Sequence, residues 1–213
     1  MPKIKVLIFD VDLTICNNSE RERRSIERTL DHRISDGDWA LIKDEYGFHR
    51  TLEVLKINSS LEKIVNGVMK HFLYDEDLFE LDYPLDMAVK TLNILNNDHI
   101  IYYLTGRPIH HTAVDFIKKF GFPDGKVFSI KLGFGESHKK IRPLSQILRE
   151  AKVNPEEAVS VADLPGDAMA AKSVGVVTVG TYQAHLNMKE ELQRVCDHVI
   201  GNILELPTVL NEL

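Results

Sequence analysis

Two aspartates stand one residue apart where a short apolar segment ends. The segment KVLIFDVDLT covers residues 5–14 and places Asp10 and Asp12 directly behind Phe9. Neighbouring carboxylates each make ionisation of the other more costly. Such a pair can divide catalytic work when one acid stays ionised and the other carries a proton. The spacing therefore needs an explanation, either in a site that makes use of this repulsion or in a pair that merely ends a strand.

Other polar residues follow later apolar segments in the same way. Thr105 comes just after segment 99–104, and Asp163 and Asp167 come just after segment 158–162. In open α/β sheets, ligands bind beyond the carboxyl ends of the strands. The sequence therefore predicts that these residues meet Asp10 and Asp12 at one edge of a sheet. For Asp167 a helix N-cap is the alternative, since Asp is common there.

So much negative charge at one edge requires a cation or a shared proton. Ligands that are all oxygen suit a hard cation, and Mg²⁺ is the default expectation. A lysine would supply further counter-charge. Segment SHKKIRP at 137–143 offers Lys139 and Lys140, and Lys131 lies nearby.

The elements that must position these residues alternate along the chain. The strand candidates are residues 4–9, 99–104, 158–162 and 175–180, with a weaker one at 126–130. Helical apolar spacing lies between them, at residues 85–95, 108–120, 144–151 and 167–175. Alternating strands and helices predict an α/β fold with a doubly wound, Rossmann-like parallel sheet.

Residues 18–83 contain no strand-like segment and predict about four helices. Their clearest amphipathic stripe runs from Leu61 to Leu73. Because they interrupt the α/β pattern, we expect an inserted all-α helical cap domain at 18–83 and a core domain of 1–17 and 84–213. Hinges are expected near residues 16–18 and 82–84. The alternative is that these helices simply pack on the sheet.

The bulk composition restricts the class of protein. A net charge of −6 disfavours a general nucleic-acid binder, and no apolar segment is long enough to span a bilayer. Cys16 and Cys196 are far apart and form neither a disulfide framework nor a metal cluster. We expect a cytoplasmic protein with reduced thiols. The sequence leaves the oligomeric state open.

Four short motifs, in this order, resemble those of the haloacid dehalogenase (HAD) superfamily of phosphohydrolases. They are Asp10-Val11-Asp12-Leu13-Thr14, Thr105-Gly106, Lys140 before Pro143, and Asp163 with Asp167. The resemblance covers the whole α/β part, and the insertion resembles the superfamily's helical cap. Ala162 stands where many members have Gly, and Pro165 lies between the last two acids. Neither departure removes a candidate ligand.

The resemblance implies a catalytic role for four of these residues. Asp10 would be the nucleophile that forms an aspartyl phosphate. Asp12 would protonate the leaving oxygen and later take a proton from water. Thr105 would hydrogen-bond the phosphoryl group, and Lys140 would offset negative charge. Lys140 is preferred over Lys139 because its spacing to Pro143 best matches the superfamily.

The resemblance also implies two sets of binding residues. The phosphate would be bound by Val11, Thr105, Gly106 and Lys140. The metal ion would be bound by Asp10, the backbone carbonyl of Asp12, Asp163 and Asp167.

The resulting expectation is a hydrolase, a Mg²⁺-dependent phosphatase that acts on a small phosphorylated metabolite. A phosphotransferase or phosphomutase would share the same residues and is the main alternative. A haloacid dehalogenase is less expected because it would not need Asp12. A phosphoaccepting signalling domain is less expected because domains of that class lack a long helical insertion, whereas this sequence contains one. A non-catalytic interaction role is disfavoured because every catalytic position is filled.

Three further residues have open assignments. Arg50, in the insertion, would contact an anionic substrate if its loop faces the site; otherwise it is solvated. Arg107 would reach the substrate or form an ion pair in solvent. Thr14 is expected to be structural.

Overall fold

The computed structural model describes residues 3–43, 49–132 and 136–213, without the side chains of residues 49 and 50. In this part of the chain the strands are β1 (Val6–Phe9), β2 (Cys16–Asn17), β3 (Tyr83–Pro84), β4 (Ile100–Thr105), β5 (Lys126–Ser129), β6 (Ala158–Ala162), β7 (Val177–Thr181) and β8 (His198–Ile200).

The α-helices of the described residues are α1 (Ser19–Leu30), α2 (Asp36–Ile42), α3 (His49–Val54), α4 (Leu61–Tyr74), α5 (Ala88–Leu95), α6 (His110–Lys119), α7 (Ile141–Ala151), α8 (Pro165–Lys172), α9 (Lys189–Val195) and α10 (Leu206–Glu212). Shorter 3₁₀ helices cover Glu76–Leu81, Ser137–Lys140, Pro155–Glu157, Leu186–Met188 and Ile203–Glu205.

Six strands form one parallel sheet in the order β5-β4-β1-β6-β7-β8. The first strand is central, with β4 paired on one side and β6 on the other. After β5 the chain returns across β1 to start β6, which makes the end of β1 a topological switch point. The predicted doubly wound α/β fold is confirmed, and so are its five predicted strands. The sixth, β8, was not predicted.

The sheet is buried on both faces, as the continuous apolar strands predict. Along β1, Leu7 and Phe9 pack into one core with Leu92 of α5 and Phe116 of α6. Val6 and Ile8 point to the other face, where the core includes Leu144 and Ile147 of α7 and Ala170 and Ala171 of α8. The alternation has the period of two that an extended strand imposes.

The chain divides into two compact units. One combines Met1–Asn17 with Tyr83–Leu213, and the other is Asn18–Asp82. We call the second the helical unit. The expected boundaries were 17/18 and 83/84. The expected hinge segments include β2 and β3, which pair with each other as a two-stranded antiparallel sheet.

Within its described residues the helical unit contains helices and no strand. Its core combines Ile26 of α1, Trp39 of α2, and Ile64 and Val68 of α4. Ser60 caps α4 through a hydrogen bond from the backbone N–H of Lys63. The buried guanidinium of Arg21 stacks on Phe72 and Phe79, with ring centroids 4.0 Å and 4.4 Å away. These contacts give the unit a core of its own.

Among the helices of the described residues, none has both the length and the apolar character that a bilayer crossing would require.

Candidate active site

The candidate residues emerge from three adjacent strands at the carboxyl edge of the sheet. Asp10 follows β1 directly, Thr105 is the last residue of β4, and Asp163 follows β6. Because β1 lies between β4 and β6, these residues surround the switch point. Asp167 lies in the first turn of α8, where the N-cap residue is Leu164. Asp167 therefore does not serve as the N-cap of this helix.

Lys140 supplies a buried positive charge among these acids. It ends the 3₁₀ helix Ser137–Lys140 and precedes α7. Its Nζ atom lies 2.7 Å from Oδ1 of Asp10 and 2.5 Å from Oδ2 of Asp167. By contrast, Lys139 is half-exposed and pairs with Glu136. The structure thus brings Lys140, and not Lys139, to the carboxylates.

Burial and mutual repulsion control the ionisation of this cluster. Burial raises the pKa of Asp10 to about 7, although Lys140 opposes that rise. The pKa of Asp163 is raised well above its usual value by burial and by the charges of Asp10 and Asp167. Burial alone would lower the pKa of Lys140, but the two carboxylates raise it above its ordinary value. Simultaneous ionisation of these acids is therefore unfavourable, because the charge of Lys140 does not compensate for burial and mutual repulsion.

The donor set fits a divalent cation. The carboxylates of Asp10, Asp163 and Asp167 are buried, and among the described residues the ammonium group of Lys140 forms ion pairs with Asp10 and Asp167. Oδ1 of Asp167 is buried and has no hydrogen-bond partner among the described residues. These three side chains do not by themselves form a closed cage of ligand oxygens. Mg²⁺ rarely needs one, because it usually keeps waters and binds one or two carboxylates together with a phosphate.

Thr14 is the first residue whose role the sequence did not reveal. Its hydroxyl donates a hydrogen bond of 3.2 Å to Oδ1 of Asp163, and both side chains are buried. The contact connects the loop after β1 with the end of β6. Thr14 was expected to be structural only, but this hydrogen bond also orients Asp163, a candidate metal ligand.

The proposed phosphate-binding residues lie at the same edge. Thr105 is buried, and its hydroxyl oxygen accepts a hydrogen bond of 3.2 Å from the backbone N–H of Arg107. A Cβ added to Gly106 would lie 3.0 Å from Cδ1 of Leu132, which leaves little room for a larger residue. The Val11 side chain is fully buried in the core, so only its backbone is available to a phosphate.

Arg107 is the second residue whose partner the sequence did not identify. Nη2 lies 2.7 Å from Oδ1 of Asp12, and Nε lies 3.1 Å from Oδ2. The arginine side chain is fully buried, whereas that of Asp12 is 21% exposed. From its position after Thr105-Gly106, this arginine is expected to contact the substrate or to form an ion pair in solvent. Arg107 does form an ion pair, but its guanidinium group is buried in the protein and not exposed to solvent.

One expected contact lies outside the described residues. The side chain of Arg50 is not described, so its expected contact with a substrate stays a prediction.

A doubly wound α/β fold with a carboxylate-rich site at its switch point is an arrangement typical of enzymes. The sequence model of the haloacid dehalogenase-like hydrolase family matches residues 4–175, and the chain belongs to that family. The resemblance stated from the motifs is therefore confirmed, as is the prediction of a hydrolase.

Comparisons over the full chain agree with the family. The chain is 25% identical to the glyceraldehyde 3-phosphate phosphatase of Pyrococcus furiosus, over 99% of this chain and 94% of that protein. A haloacid dehalogenase-like family hydrolase from Streptococcus pneumoniae superposes with a TM-score of 0.71 at 17% identity, covering 97% and 98% of the two chains. A protein from Haemophilus somnus, described as a predicted phosphoglycolate phosphatase, gives 0.69 at 19% identity, covering 98% and 99%. The two structures share the fold of this chain.

Proposed function

We propose that the chain is a Mg²⁺-dependent phosphomonoesterase that forms an aspartyl phosphate on Asp10. The observation that carries this proposal is the placement of Lys140 between Asp10 and Asp167, 2.7 Å and 2.5 Å from their oxygens, at the switch point of the sheet. The contact with the ammonium group fixes the position of the buried Asp10 carboxylate, which is the group that would attack phosphorus. The same ammonium group can offset charge that develops on a phosphoryl group.

In the first step, an oxygen of Asp10 forms a bond to phosphorus while the ester P–O bond breaks. The electron pair of that bond goes to the leaving oxygen, which takes a proton from Asp12 and departs as an alcohol. Thr105 and the Gly106 amide hold the phosphoryl oxygens, and Lys140 offsets their charge. Positioning and charge stabilisation supply most of the acceleration in phosphoryl transfer.

In the second step, water attacks the phosphorus of the aspartyl phosphate. Asp12 takes the proton of this water, the bond between Asp10 and phosphorus breaks, and inorganic phosphate leaves. Asp12 donates a proton in the first step and accepts one in the second, so the same carboxyl group serves first as an acid and then as a base.

Asp10, Asp163, Asp167 and the backbone carbonyl of Asp12 would hold Mg²⁺. When bound, this cation supplies charge neutralisation for the phosphate and for the acids. The raised pKa values of Asp10 and Asp163 support this assignment, because burial makes their ionised forms costly unless positive charge is nearby.

The substrate is proposed to be a small phosphorylated metabolite. The curated relative is named for glyceraldehyde 3-phosphate. A structural neighbour is described as a predicted phosphoglycolate phosphatase. We propose that the helical unit acts as a cap that restricts substrate size and excludes water, with Arg50 as a candidate contact to the anion. A cytoplasmic location and reduced thiols complete the proposal.

A phosphate-release screen over small phosphate esters, with Mg²⁺ and with chelator, tests this function. We expect release that requires Mg²⁺ and that Asp10→Asn abolishes. Asp98→Asn is the matched control, because Asp98 is exposed and precedes β4 at the opposite edge of the sheet. Full activity in Asp10→Asn would refute the nucleophile. Transfer of the phosphoryl group to a second hydroxyl compound, without phosphate release, would favour the phosphotransferase alternative.

A further inference from the structure

The side chain of Asp12 is held by a bidentate ion pair. Both of its oxygens accept hydrogen bonds from Arg107, at 2.7 Å from Nη2 and 3.1 Å from Nε. Arginine presents its donors in a rigid planar fork, so this pairing fixes the orientation of a carboxylate as well as its position. Each carboxylate oxygen carries two lone pairs, and the fork uses one on each oxygen.

Arg107 is itself fixed from several directions. Nη1 donates to the backbone carbonyl of Thr112 at 3.3 Å, and Nη2 lies 3.3 Å from Sγ of Cys16. The guanidinium carbon lies 5.3 Å from the ring centroid of Phe116, within the range of a cation–π contact. A fully buried arginine with these contacts has little freedom to move. The fork is therefore a rigid support.

The ion pair joins the two strand ends that carry the proposed chemistry. Arg107 lies two residues beyond the end of β4, and Asp12 lies in the loop that follows β1. The Arg107 side chain is fully buried and that of Asp12 is 21% exposed. The carboxylate is thus anchored from the protein side while it remains accessible to a reacting molecule.

We propose that Arg107 is a positioning residue that fixes the Asp12 carboxylate for proton transfer to the leaving oxygen. This inference rests on the proposed function, because it assigns a partner to the acid of that reaction. Arg107 acts through Asp12 and needs no contact with the substrate. A purely structural ion pair would instead support folding and metal binding without any special link to the leaving group.

A positioning role and a purely structural role predict different effects of Arg107 substitutions on substrates with different leaving groups. Phenyl phosphate releases a poor leaving group that needs a proton, whereas 4-nitrophenyl phosphate releases one that needs it less. We expect Arg107→Lys, which keeps a charge but loses the fork, to lower kcat/KM for phenyl phosphate on the order of 10²-fold. The loss for 4-nitrophenyl phosphate should be much smaller. Asp12→Asn should show the same pattern.

A double-mutant cycle makes the test specific. If Arg107 acts through Asp12, adding Arg107→Lys to Asp12→Asn should cause little further loss. Arg107→Met removes the charge altogether, and Arg149→Met is the control for loss of an exposed arginine on α7. Circular dichroism and the Mg²⁺ half-saturation concentration verify that each variant is folded and binds metal. Since Arg107→Lys keeps the buried charge, it remains informative if Arg107→Met does not fold.

Each outcome decides one question. Equal losses for the two esters, a full additional loss in the Asp12→Asn background, or no loss at all would overturn the positioning role. The proposed function is judged separately in the same assay by wild-type release and by the Asp10→Asn variant. If the wild type releases no phosphate from any ester of the screen, these two included, or if Asp10→Asn still releases it, the proposed function fails independently of Arg107.

Discussion

The ammonium group of Lys140 lies 2.7 Å from Oδ1 of Asp10, although 130 residues separate the two in sequence. Both side chains are buried, so neither charge is well solvated and each depends on the other. The pair connects the proposed nucleophile with its counter-charge.

Removing the ammonium group should reduce both activity and stability. In Lys140→Met the carboxylates of Asp10 and Asp167 lose their shared partner. We expect kcat for phosphate release to fall by about 10²–10³-fold, as for other preorganised charge-stabilising groups. The free energy of unfolding should fall by about 3 kcal/mol, because buried carboxylates are left without their cation. Phosphate-release kinetics and urea unfolding measure the two effects.

The neighbouring lysine provides a matched control. Lys139 is 45% exposed on its side chain and pairs with Glu136 on the surface. Lys139→Met should change the free energy of unfolding by about 0.5 kcal/mol or less. Phosphate release should be unaffected. If Lys139→Met caused the larger loss, Lys140 would not be the active-site cation.

The stability of the metal-free protein should depend on pH through Asp10. Burial raises the pKa of Asp10 to about 7 in the folded state, above the ordinary aspartate value of 3.8 that applies to the unfolded chain. Between these values the folded state binds more protons at this group, so the free energy of unfolding decreases as pH rises from about 4 to about 7. Asp10→Asn removes this titration. The total decrease should be smaller in the variant by roughly 1–4 kcal/mol.

Urea unfolding in chelator at several pH values measures this difference. A residual slope from Asp163, whose pKa is also raised, should remain in the variant. The exposed Asp98→Asn variant should follow the wild-type curve. Parallel curves for wild type and Asp10→Asn would show that Asp10 does not titrate in this range.

Loss of the Thr14 hydroxyl should weaken metal binding. Thr14→Val keeps the shape of the side chain but removes its hydrogen bond to Oδ1 of Asp163. Partners that orient metal ligands typically contribute 10–100-fold in metal affinity or activity, so we expect the half-saturating Mg²⁺ concentration to rise by about tenfold or more. A Mg²⁺ titration of phosphate release measures it.

Thr91→Val makes the same chemical change at a buried position in α5, where the hydroxyl has no hydrogen-bond partner among the described residues. Its Mg²⁺ dependence should match that of the wild type. An unchanged Mg²⁺ titration in Thr14→Val would remove Thr14 from the site.

Much of the fold follows from local pattern in the sequence. The apolar segments of β1, β4 and β6 identified the central strands, and parallel pairing brings their ends to one edge. That is why Asp10, Thr105 and Asp163 could be placed together without coordinates. The strand β8 was not predicted because it has three residues, too few for an apolar pattern. Strands β2 and β3 have two residues each and depend on each other for pairing.

Other features depend on contacts that no local pattern encodes. An arginine is usually exposed, so the burial of Arg107 becomes evident only when Asp12, Cys16 and Phe116 surround it. Thr14 resembles an ordinary turn residue until β6 brings Asp163 within hydrogen-bond distance. Both cases are long-range pairings that form after the sheet is assembled. The choice of Lys140 over Lys139 came from motif spacing, and the structure now adds the burial and contacts that distinguish them.

The central claim is that Asp10 captures the phosphoryl group, and trapping the intermediate tests it most directly. Enzyme mixed with Mg²⁺ and 4-nitrophenyl phosphate would be quenched in acid within one turnover, digested, and analysed by mass spectrometry. The account predicts a phosphoryl group on Asp10 in the wild type and none in Asp10→Asn. A turning-over wild type without phosphorylated Asp10, or with the phosphoryl group on another residue, would contradict it.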